Sequence, residues 1–171
     1  MSTVLIGYRG SGKTTIGQKL ADRLWQKLVD TDKLVVERAG KNIKEIFEQE
    51  GEARFRDLEA EAVKEAMARK EAVISLGGGA VLREENRAAI KASGHKVVYL
   101  RCDPDVLHQR IQADAATAAM RPTLTHLGGG VEEIEKVLAE REPVYRSLMT
   151  AEVDVTNLSV SDAVVYIVRL L

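Results

Sequence analysis

The stretch GYRGSGKTT occupies residues 7–15, directly after the short apolar run TVLI and directly before a segment with helical periodicity. It satisfies the pattern GxxxxGK[ST], and a position between a strand and a helix is the context in which that pattern binds phosphate. Glycines let the chain wrap closely around an anion, so that backbone N–H groups and the positive end of the following helix point at phosphate oxygens. The sequence therefore predicts a phosphate-binding loop.

Individual residues of this loop have predicted roles. Lys13 is expected to reach the β- and γ-phosphates of a nucleotide, and the Thr14 hydroxyl is expected to face Mg²⁺. A glycine-rich turn that matches by chance is the alternative, and strand, loop and helix in register argue against it. The loop residues predicted to bind the nucleotide are Gly10, Ser11, Gly12, Lys13, Thr14 and Thr15.

Outside the loop, short β-branched runs alternate with longer helical patterns, which is typical of βαβ units and a parallel sheet. We predict strands at residues 3–6, 27–30, 72–76, 96–101 and 152–156. The clearest helices are predicted at 13–24 and 52–69, where apolar residues recur every three or four positions. The pattern indicates an α/β fold of three layers around a doubly wound, five-stranded parallel sheet.

Proline and capping residues predict several helix ends. Asp103 followed by Pro104 is typical of an N-cap with proline in the first turn, so a helix should follow the fourth strand. Ser159 or Ser161 is expected to cap the last helix. Pro143 should kink or end the helix in which it lies.

Composition limits the class of protein. The chain has 171 residues, 45% of them hydrophobic, which fits a single domain spanning residues 1–171. A net charge of −1 argues against a nucleic-acid partner, and Cys102 is the only cysteine, so no disulfide forms within the chain. The apolar runs are too short to span a bilayer. We expect a cytoplasmic monomer with no membrane partner.

Two segments are expected to serve the site around the loop. Residues 113–130 are rich in Ala and Thr and then Gly, and we predict a mobile lid at about 113–127. An ordinary surface loop is the alternative. A helical segment at about 32–60 is predicted to bind the substrate.

Switches, motors and small-molecule kinases share this loop, so the acceptor has to be sought elsewhere. The sequence lacks the NKxD and DxxG strings of a GTPase, and the third strand runs into three glycines instead of ending in a carboxylate. Asp30 and Asp32 follow the second strand, at the carboxyl edge where the loop also lies. One carboxylate could hold a metal-bound water while the other faces an acceptor hydroxyl. Alternatively, Asp32 caps a helix that begins at Lys33.

Three cationic positions complete the candidate site. Arg56 follows Phe55 on a predicted helix, and an aromatic ring beside a guanidinium suits an apolar ring that bears a carboxylate. Arg121 lies in the predicted lid, and Arg141 lies near Pro143. The glycines that could present bare N–H groups to a ligand are Gly77, Gly78 and Gly79.

Together these motifs resemble the shikimate kinase family, over essentially the whole chain. They occur in family order: GYRGSGKTT, DTD at 30–32, FR..E at 55–59, SLGGGAV at 75–81, MRP at 120–122 and REPVYR at 141–146. The resemblance implies a P-loop kinase related to the nucleoside monophosphate kinases. It implies transfer of the γ-phosphoryl group of ATP to the 3-hydroxyl of shikimate, giving shikimate 3-phosphate and ADP for aromatic amino-acid biosynthesis.

The resemblance also implies roles for individual residues. Lys13, Asp32 and Arg121 would be catalytic, with Asp32 on the acceptor hydroxyls and Arg121 reaching the phosphates from the lid. Thr14 and Asp30 would hold Mg²⁺, the latter through water. The residues implied to bind shikimate are Asp32, Phe47, Phe55, Arg56, Gly77, Gly78, Gly79 and Arg141.

The residues predicted to contact adenine depart in part from the family pattern. Arg110 matches the position at which the family stacks a basic residue on adenine. The other wall in many members is a proline-bearing loop, but residues 157–160 here contain no proline. No role is predicted for His95, His108 or His126.

Two other functions remain open at this point. One is a related P-loop kinase with another acceptor, of the gluconate or nucleotide type. The other is a nucleotide-dependent switch with little turnover. The joint presence of FR..E, GGG and REPVYR argues against the first, and the missing guanine motif with a paired carboxylate argues against the second.

Overall fold

A computed structural model describes residues 1–114 and 128–171 of the chain. Within those residues five strands are found: β1 (Thr3–Ile6), β2 (Lys27–Asp30), β3 (Ala72–Ser75), β4 (Lys96–Arg101) and β5 (Ala151–Asp154). The helices there are α1 (Lys13–Leu24), α2 (Thr31–Ala39), α3 (Ile43–Met67), α4 (Glu84–Ala92), α5 (Pro104–Ala113), α6 (Val131–Leu148) and α7 (Val160–Leu170).

The strands form one parallel sheet in the order β2-β3-β1-β4-β5. β1 and β3 are buried along their whole length, because helices cover both faces of a parallel sheet. Helices α1 and α7 pack against each other, whereas α4 contacts both α3 and α6. The predicted α/β fold with a five-stranded parallel sheet is confirmed.

Most predicted boundaries agree with the structure, and two strands differ slightly. β1, β2, β4 and α1 have the predicted bounds, whereas β3 ends at Ser75 and β5 spans Ala151–Asp154. The last strand stops early because the Asp154 carboxylate accepts a hydrogen bond from the Thr156 backbone N–H at 3.0 Å, which turns the chain.

The element α3 contains two helices separated by Gly51: the first begins at Ile43, and the second begins at Glu52, the predicted start. The Asn42 side chain accepts a hydrogen bond from the Glu45 backbone N–H, and the Glu45 side chain accepts one from the Asn42 N–H. This capping box was the sequence signal that we missed. Gly51 interrupts the helix with φ 84° and ψ 166°.

Three other helix ends bear on the predictions. Ser159 caps α7, and Pro104 lies in the first turn of α5, as predicted. Helix α2 begins at Thr31 and is capped by Asp30, so the alternative of Asp32 as the cap is wrong. Pro143 does not end its helix, because α6 continues to Leu148.

The hydrophobic core has a main part and a satellite. The main cluster surrounds the sheet, and its largest fully buried side chains are Tyr99 and Tyr145. The satellite lies between α2 and α3 and includes Val35, Ile46 and Phe55. The segment at 32–60 is therefore anchored by its own small core beside the sheet. No helix among the described residues is long and apolar enough to cross a membrane.

Candidate active site

The loop after β1 closes around the ammonium group of Lys13. Lys13 Nζ donates hydrogen bonds to the carbonyl oxygens of Gly7 at 2.8 Å and of Tyr8 at 2.9 Å. Gly10 and Gly12 have φ values of 86° and 94°, which L side chains rarely adopt. The loop backbone therefore requires these glycines, and it holds a cation at the N-terminus of α1.

A cavity of about 630 Å³ lies over this loop. Of the residues predicted to bind the nucleotide, it brings together Gly10, Gly12, Lys13, Thr14, Thr15 and Arg110. Ser11 is not among its lining residues. The Ser11 side chain is fully buried, and its backbone N–H donates to the Tyr8 carbonyl at 3.2 Å.

The far wall of the cavity comes from the loop after β5. Arg110 donates a hydrogen bond to the Val155 carbonyl at 3.0 Å and so ties α5 to that loop. Leu158, Ser159 and Val160 also line the cavity, whereas Asn157 does not. The wall is thus partly apolar without proline, which suits the flat face of a base.

Asp30 is fixed at the carboxyl end of β2 by both of its oxygens. Its Oδ1 atom accepts hydrogen bonds from the backbone N–H groups of Asp32 at 3.0 Å and Lys33 at 3.3 Å. Its Oδ2 atom accepts one from the Thr14 hydroxyl at 2.8 Å. A carboxylate and a hydroxyl, both preferred by Mg²⁺ as oxygen ligands, therefore meet beside Lys13.

A second, smaller cavity of about 60 Å³ adjoins the first. Arg9 and Asp32 line both cavities, so these two residues mark the junction between them. The remaining residues that line the smaller cavity are Ile43, Phe47, Phe55, Arg56, Glu59, Gly78, Gly79 and Arg141. This set includes most of the residues that were predicted to bind the acceptor.

The glycines after β3 allow the charged side chains to approach closely. A Cβ atom on Gly77 would lie 2.6 Å from Asp32 Oδ1, and one on Gly79 would lie 2.5 Å from Arg56 Nη1. Gly78 lies beside Arg141, whose Nη1 atom would be 3.5 Å from an added Cβ. Any side chain at Gly77 or Gly79 would displace a predicted site residue.

Arg56 is held by a buried carboxylate. Its Nη1 atom donates to Glu59 Oε1 at 2.7 Å, and the Glu59 side chain is 2% exposed. Burial raises the pKa of Glu59, and the neighbouring Arg56 charge offsets part of that increase. Glu59 is the last residue of the FR..E motif and had no predicted role, although the i,i+3 spacing places its side chain and that of Arg56 on one helix face.

Aromatic rings form the floor of the smaller cavity. Phe47 and Phe55 pack with ring centroids 4.9 Å apart, and the Arg56 guanidinium lies 5.1 Å from the Phe55 centroid. Arg141 is also buried, with its guanidinium 6.0 Å from the Tyr8 ring. Two guanidinium groups beside apolar rings are suited to an apolar ring that carries a negative charge.

Some predicted features lie outside the part of the chain that the structure describes. Arg121, His126 and the lid proposed at 113–127 fall there, apart from the end of α5 at Ala113 and the following Asp114. Arg9 is a lining residue of both cavities that sequence reasoning missed. Its position inside the loop, two residues after Gly7, was the sequence feature that could have identified it.

A family model, two curated relatives and a solved structure that match this chain are those of shikimate kinases. The family model for shikimate kinase matches residues 9–171. A shikimate kinase of Rhodopirellula baltica is 41% identical over 165 residues, covering 96% of this chain and 87% of the relative. One of Thermobifida fusca is 44% identical over 154 residues, covering 90% and 85%. The solved structure of an Acinetobacter baumannii shikimate kinase in complex with shikimate matches with a TM-score of 0.91 and 31% identity, over 99% of this chain and 91% of that chain.

Proposed function

This chain belongs to the shikimate kinase family, and from that membership we propose how its residues phosphorylate the 3-hydroxyl of shikimate with ATP. The observation that carries the proposal is the convergence of Arg56 and Arg141 in a small cavity that adjoins the loop cavity at Asp32. The products are shikimate 3-phosphate and ADP. Kinases that act on gluconate or nucleotides are not favoured, because the matching family model and the curated relatives are those of shikimate kinase.

ATP is the co-substrate, and the larger cavity is proposed to hold it. The loop N–H groups and the N-terminus of α1 would face its phosphates, with Arg110, Leu158 and Val160 around the base. Lys13 would exchange its bonds to the Gly7 and Tyr8 carbonyls for bonds to phosphate oxygens. Its charge then stabilises the negative charge that builds between the β- and γ-phosphates during transfer.

Thr14 and Asp30 are proposed to hold Mg²⁺, with Asp30 acting through water. Among the described residues there is no cluster of three or more His, Cys, Asp or Glu side chains that could hold a metal. Mg²⁺ usually keeps several waters and binds one or two protein groups together with substrate phosphates, and the Thr14 hydroxyl and the Asp30 carboxylate, 2.8 Å apart, could supply those groups. Bound Mg²⁺ would neutralise charge on the phosphate oxygens.

Asp32 is proposed to orient the acceptor. Its carboxylate lies against Gly77 at the junction of the two cavities, where a hydroxyl on the acceptor would meet the γ-phosphate. A carboxylate that accepts the hydrogen bond of this hydroxyl aligns the nucleophile and takes its proton late in the transfer. Most of the catalysis is then positioning and neutralisation of charge.

Arg56 and Arg141 are proposed to bind the carboxylate of shikimate, with Gly78 and Gly79 beside them. Phe47 and Phe55 would pack against the ring. The 2.7 Å bond between Arg56 Nη1 and Glu59 Oε1 fixes the Arg56 guanidinium. The other N–H groups of that guanidinium would bind the ligand.

The remaining assignments rest on the family resemblance. We propose that Arg121, outside the described residues, reaches the phosphates from a lid at about 113–127. Closure of such a lid would exclude water, which would otherwise attack ATP. We further propose a single domain over residues 1–171 and a cytoplasmic monomer.

The proposal is tested by measuring ADP release with shikimate, gluconate, AMP and CMP as separate acceptors at saturating ATP and Mg²⁺. We expect stimulation by shikimate alone, and phosphorus NMR of the product should place the phosphate on the 3-hydroxyl. Stimulation by gluconate or a nucleotide, without stimulation by shikimate, would reject the proposed acceptor.

A further inference from the structure

Tyr145 joins the helix that carries Arg141 to the glycines after β3. It lies on α6 and is completely buried. Its hydroxyl donates a hydrogen bond to the Gly78 carbonyl oxygen at 2.6 Å. Gly78, which lines the smaller cavity, is therefore held in place by Tyr145, which does not line that cavity.

Arg141 lies one helical turn before Tyr145 on α6, and its Nη1 atom would lie 3.5 Å from a Cβ added at Gly78. Burial raises the pKa of Tyr145 to about 12, and the charge of Arg141 acts in the opposite direction. A phenol has one donor and two acceptor sites. The hydroxyl uses its donor on the carbonyl of Gly78, the glycine that lies against the Arg141 guanidinium.

The ring of Tyr145 is rigidly packed. It stacks on Tyr99 of β4 with centroids 5.1 Å apart and an interplanar angle of 28°. Tyr99 is also buried, but it lines a separate cavity with Arg101, Cys102 and Glu142. The sheet therefore fixes the Tyr145 hydroxyl, and the hydroxyl in turn fixes Gly78 beside Arg141.

We propose that Tyr145 is a positioning residue for the acceptor: its hydroxyl sets the spacing between the Gly78 backbone and the Arg141 guanidinium, and thereby the affinity for the carboxylated substrate. This inference rests on the proposed function of Arg141. Tyr145 does not touch the reacting atoms, so its removal should affect binding of the acceptor and not the nucleotide side of the site.

The first test is the change of Tyr145→Phe, which removes only the hydroxyl. We expect KM for shikimate to rise roughly 5- to 20-fold, with KM for ATP within about twofold and kcat within about threefold. The matched control is Tyr99→Phe, which removes the hydroxyl of the stacked ring and should leave KM for shikimate within about twofold. A buried hydroxyl with a merely structural role would lower stability in both variants without this difference in KM.

The second test asks whether Tyr145 acts through Arg141. In an Arg141→Ala background, Tyr145→Phe should raise KM for shikimate by no more than about twofold, because the group that it positions is already absent. An undiminished effect in that background would overturn the link to Arg141. An unchanged KM for shikimate in the single variant would overturn the proposal altogether.

Two further measurements cover the case in which Tyr145→Phe does not fold and the case in which the parent enzyme is inactive with shikimate. If Tyr145→Phe does not fold, 4-aminophenylalanine at position 145 restores a hydrogen-bond donor of similar size. KM for shikimate should then return to within about threefold of the parent, and a persistent increase in a folded protein would contradict the proposal. The parent enzyme is assayed alongside, because an absence of shikimate-dependent ADP release in the parent rejects the proposed function and not the role of Tyr145.

Discussion

The Arg56 guanidinium and the Glu59 carboxylate form an ion pair with a 2.7 Å bond across one turn of α3, with side chains only 12% and 2% exposed. Arg56 also lies directly against Gly79. A buried ion pair contributes little to stability, but removal of one partner leaves the other charge buried and uncompensated. The pair therefore fixes the direction of Arg56 more than it stabilises the fold.

The pH dependence of stability should report the raised pKa of Glu59. The folded protein binds this proton more tightly than the unfolded chain does, because burial disfavours the carboxylate. The stabilisation is complete below the ordinary pKa near 4.5 and is lost as the pH rises through the folded pKa. We therefore expect the free energy of unfolding of the parent, relative to Glu59→Gln, to fall with rising pH over that range. Urea unfolding at several pH values measures it, and the exposed Glu61→Gln provides the control.

Arg56→Lys should weaken the binding of shikimate although the charge is kept. Lysine cannot reproduce the planar fork that meets a carboxylate and Glu59 together, and loss of a charge-assisted pair in a partly dry pocket costs about 2–5 kcal/mol. Affinity for ATP without acceptor should stay within about threefold. Calorimetric titration of each ligand measures both constants. Equal losses for shikimate and its methyl ester would mean that Arg56 does not bind the carboxylate.

Two glycine substitutions should separate binding of the acceptor from turnover. The added Cβ in Gly79→Ala collides with Arg56, so KM for shikimate should rise by about tenfold or more, as expected for loss of a charge-assisted bond. In Gly77→Ala the added Cβ collides with Asp32, so kcat should fall instead. The control is Gly130→Ala, where an added Cβ meets nothing within 4 Å. Steady-state kinetics with each substrate varied distinguishes these outcomes, and identical effects in both variants would reject the separate roles.

The carboxylates of Asp30 and Asp32 should have different roles in the reaction. Asp32→Asn should lower kcat by roughly 10²-fold or more, because it removes the group that accepts the proton of the hydroxyl, with little change in nucleotide affinity. Asp30→Asn keeps a good helix cap but loses charge beside Thr14, so we expect a higher Mg²⁺ requirement. Mg²⁺ titrations of both variants test this, and the reversed pattern would exchange the two assignments.

Lys13→Ala should remove most of the turnover while the protein remains folded. Loss of one preorganised cation at the transferring group is expected to lower kcat by about 10²- to 10³-fold. Lys19→Ala on the same helix is the matched control, since Lys19 bonds Ser161 and lies away from the cavity. Circular dichroism establishes that both variants fold. Near-parental kcat in a folded Lys13 variant would contradict the proposed contact with phosphate.

The sequence by itself determined the fold class, the glycine loop at residues 7–15 and most residues of the candidate site. These follow from contiguous stretches: a buried strand, a glycine loop and a helix in register fix the local geometry of residues 7–15. The Asn42–Glu45 capping box could also have been found in this way. Motif spacing identified Arg56 and Arg141 because the resemblance to a family supplied their roles.

Only the tertiary structure decided which side chains meet. The pairing of β2 with β3 places Asp30 opposite Ser75, and this register brings Asp32 onto Gly77. The same folding places Arg9 between the two cavities and the Tyr145 hydroxyl on the Gly78 carbonyl. Periodicity in a sequence shows which face of a helix or strand is buried, but contacts between distant elements depend on strand order and register, which no local pattern encodes.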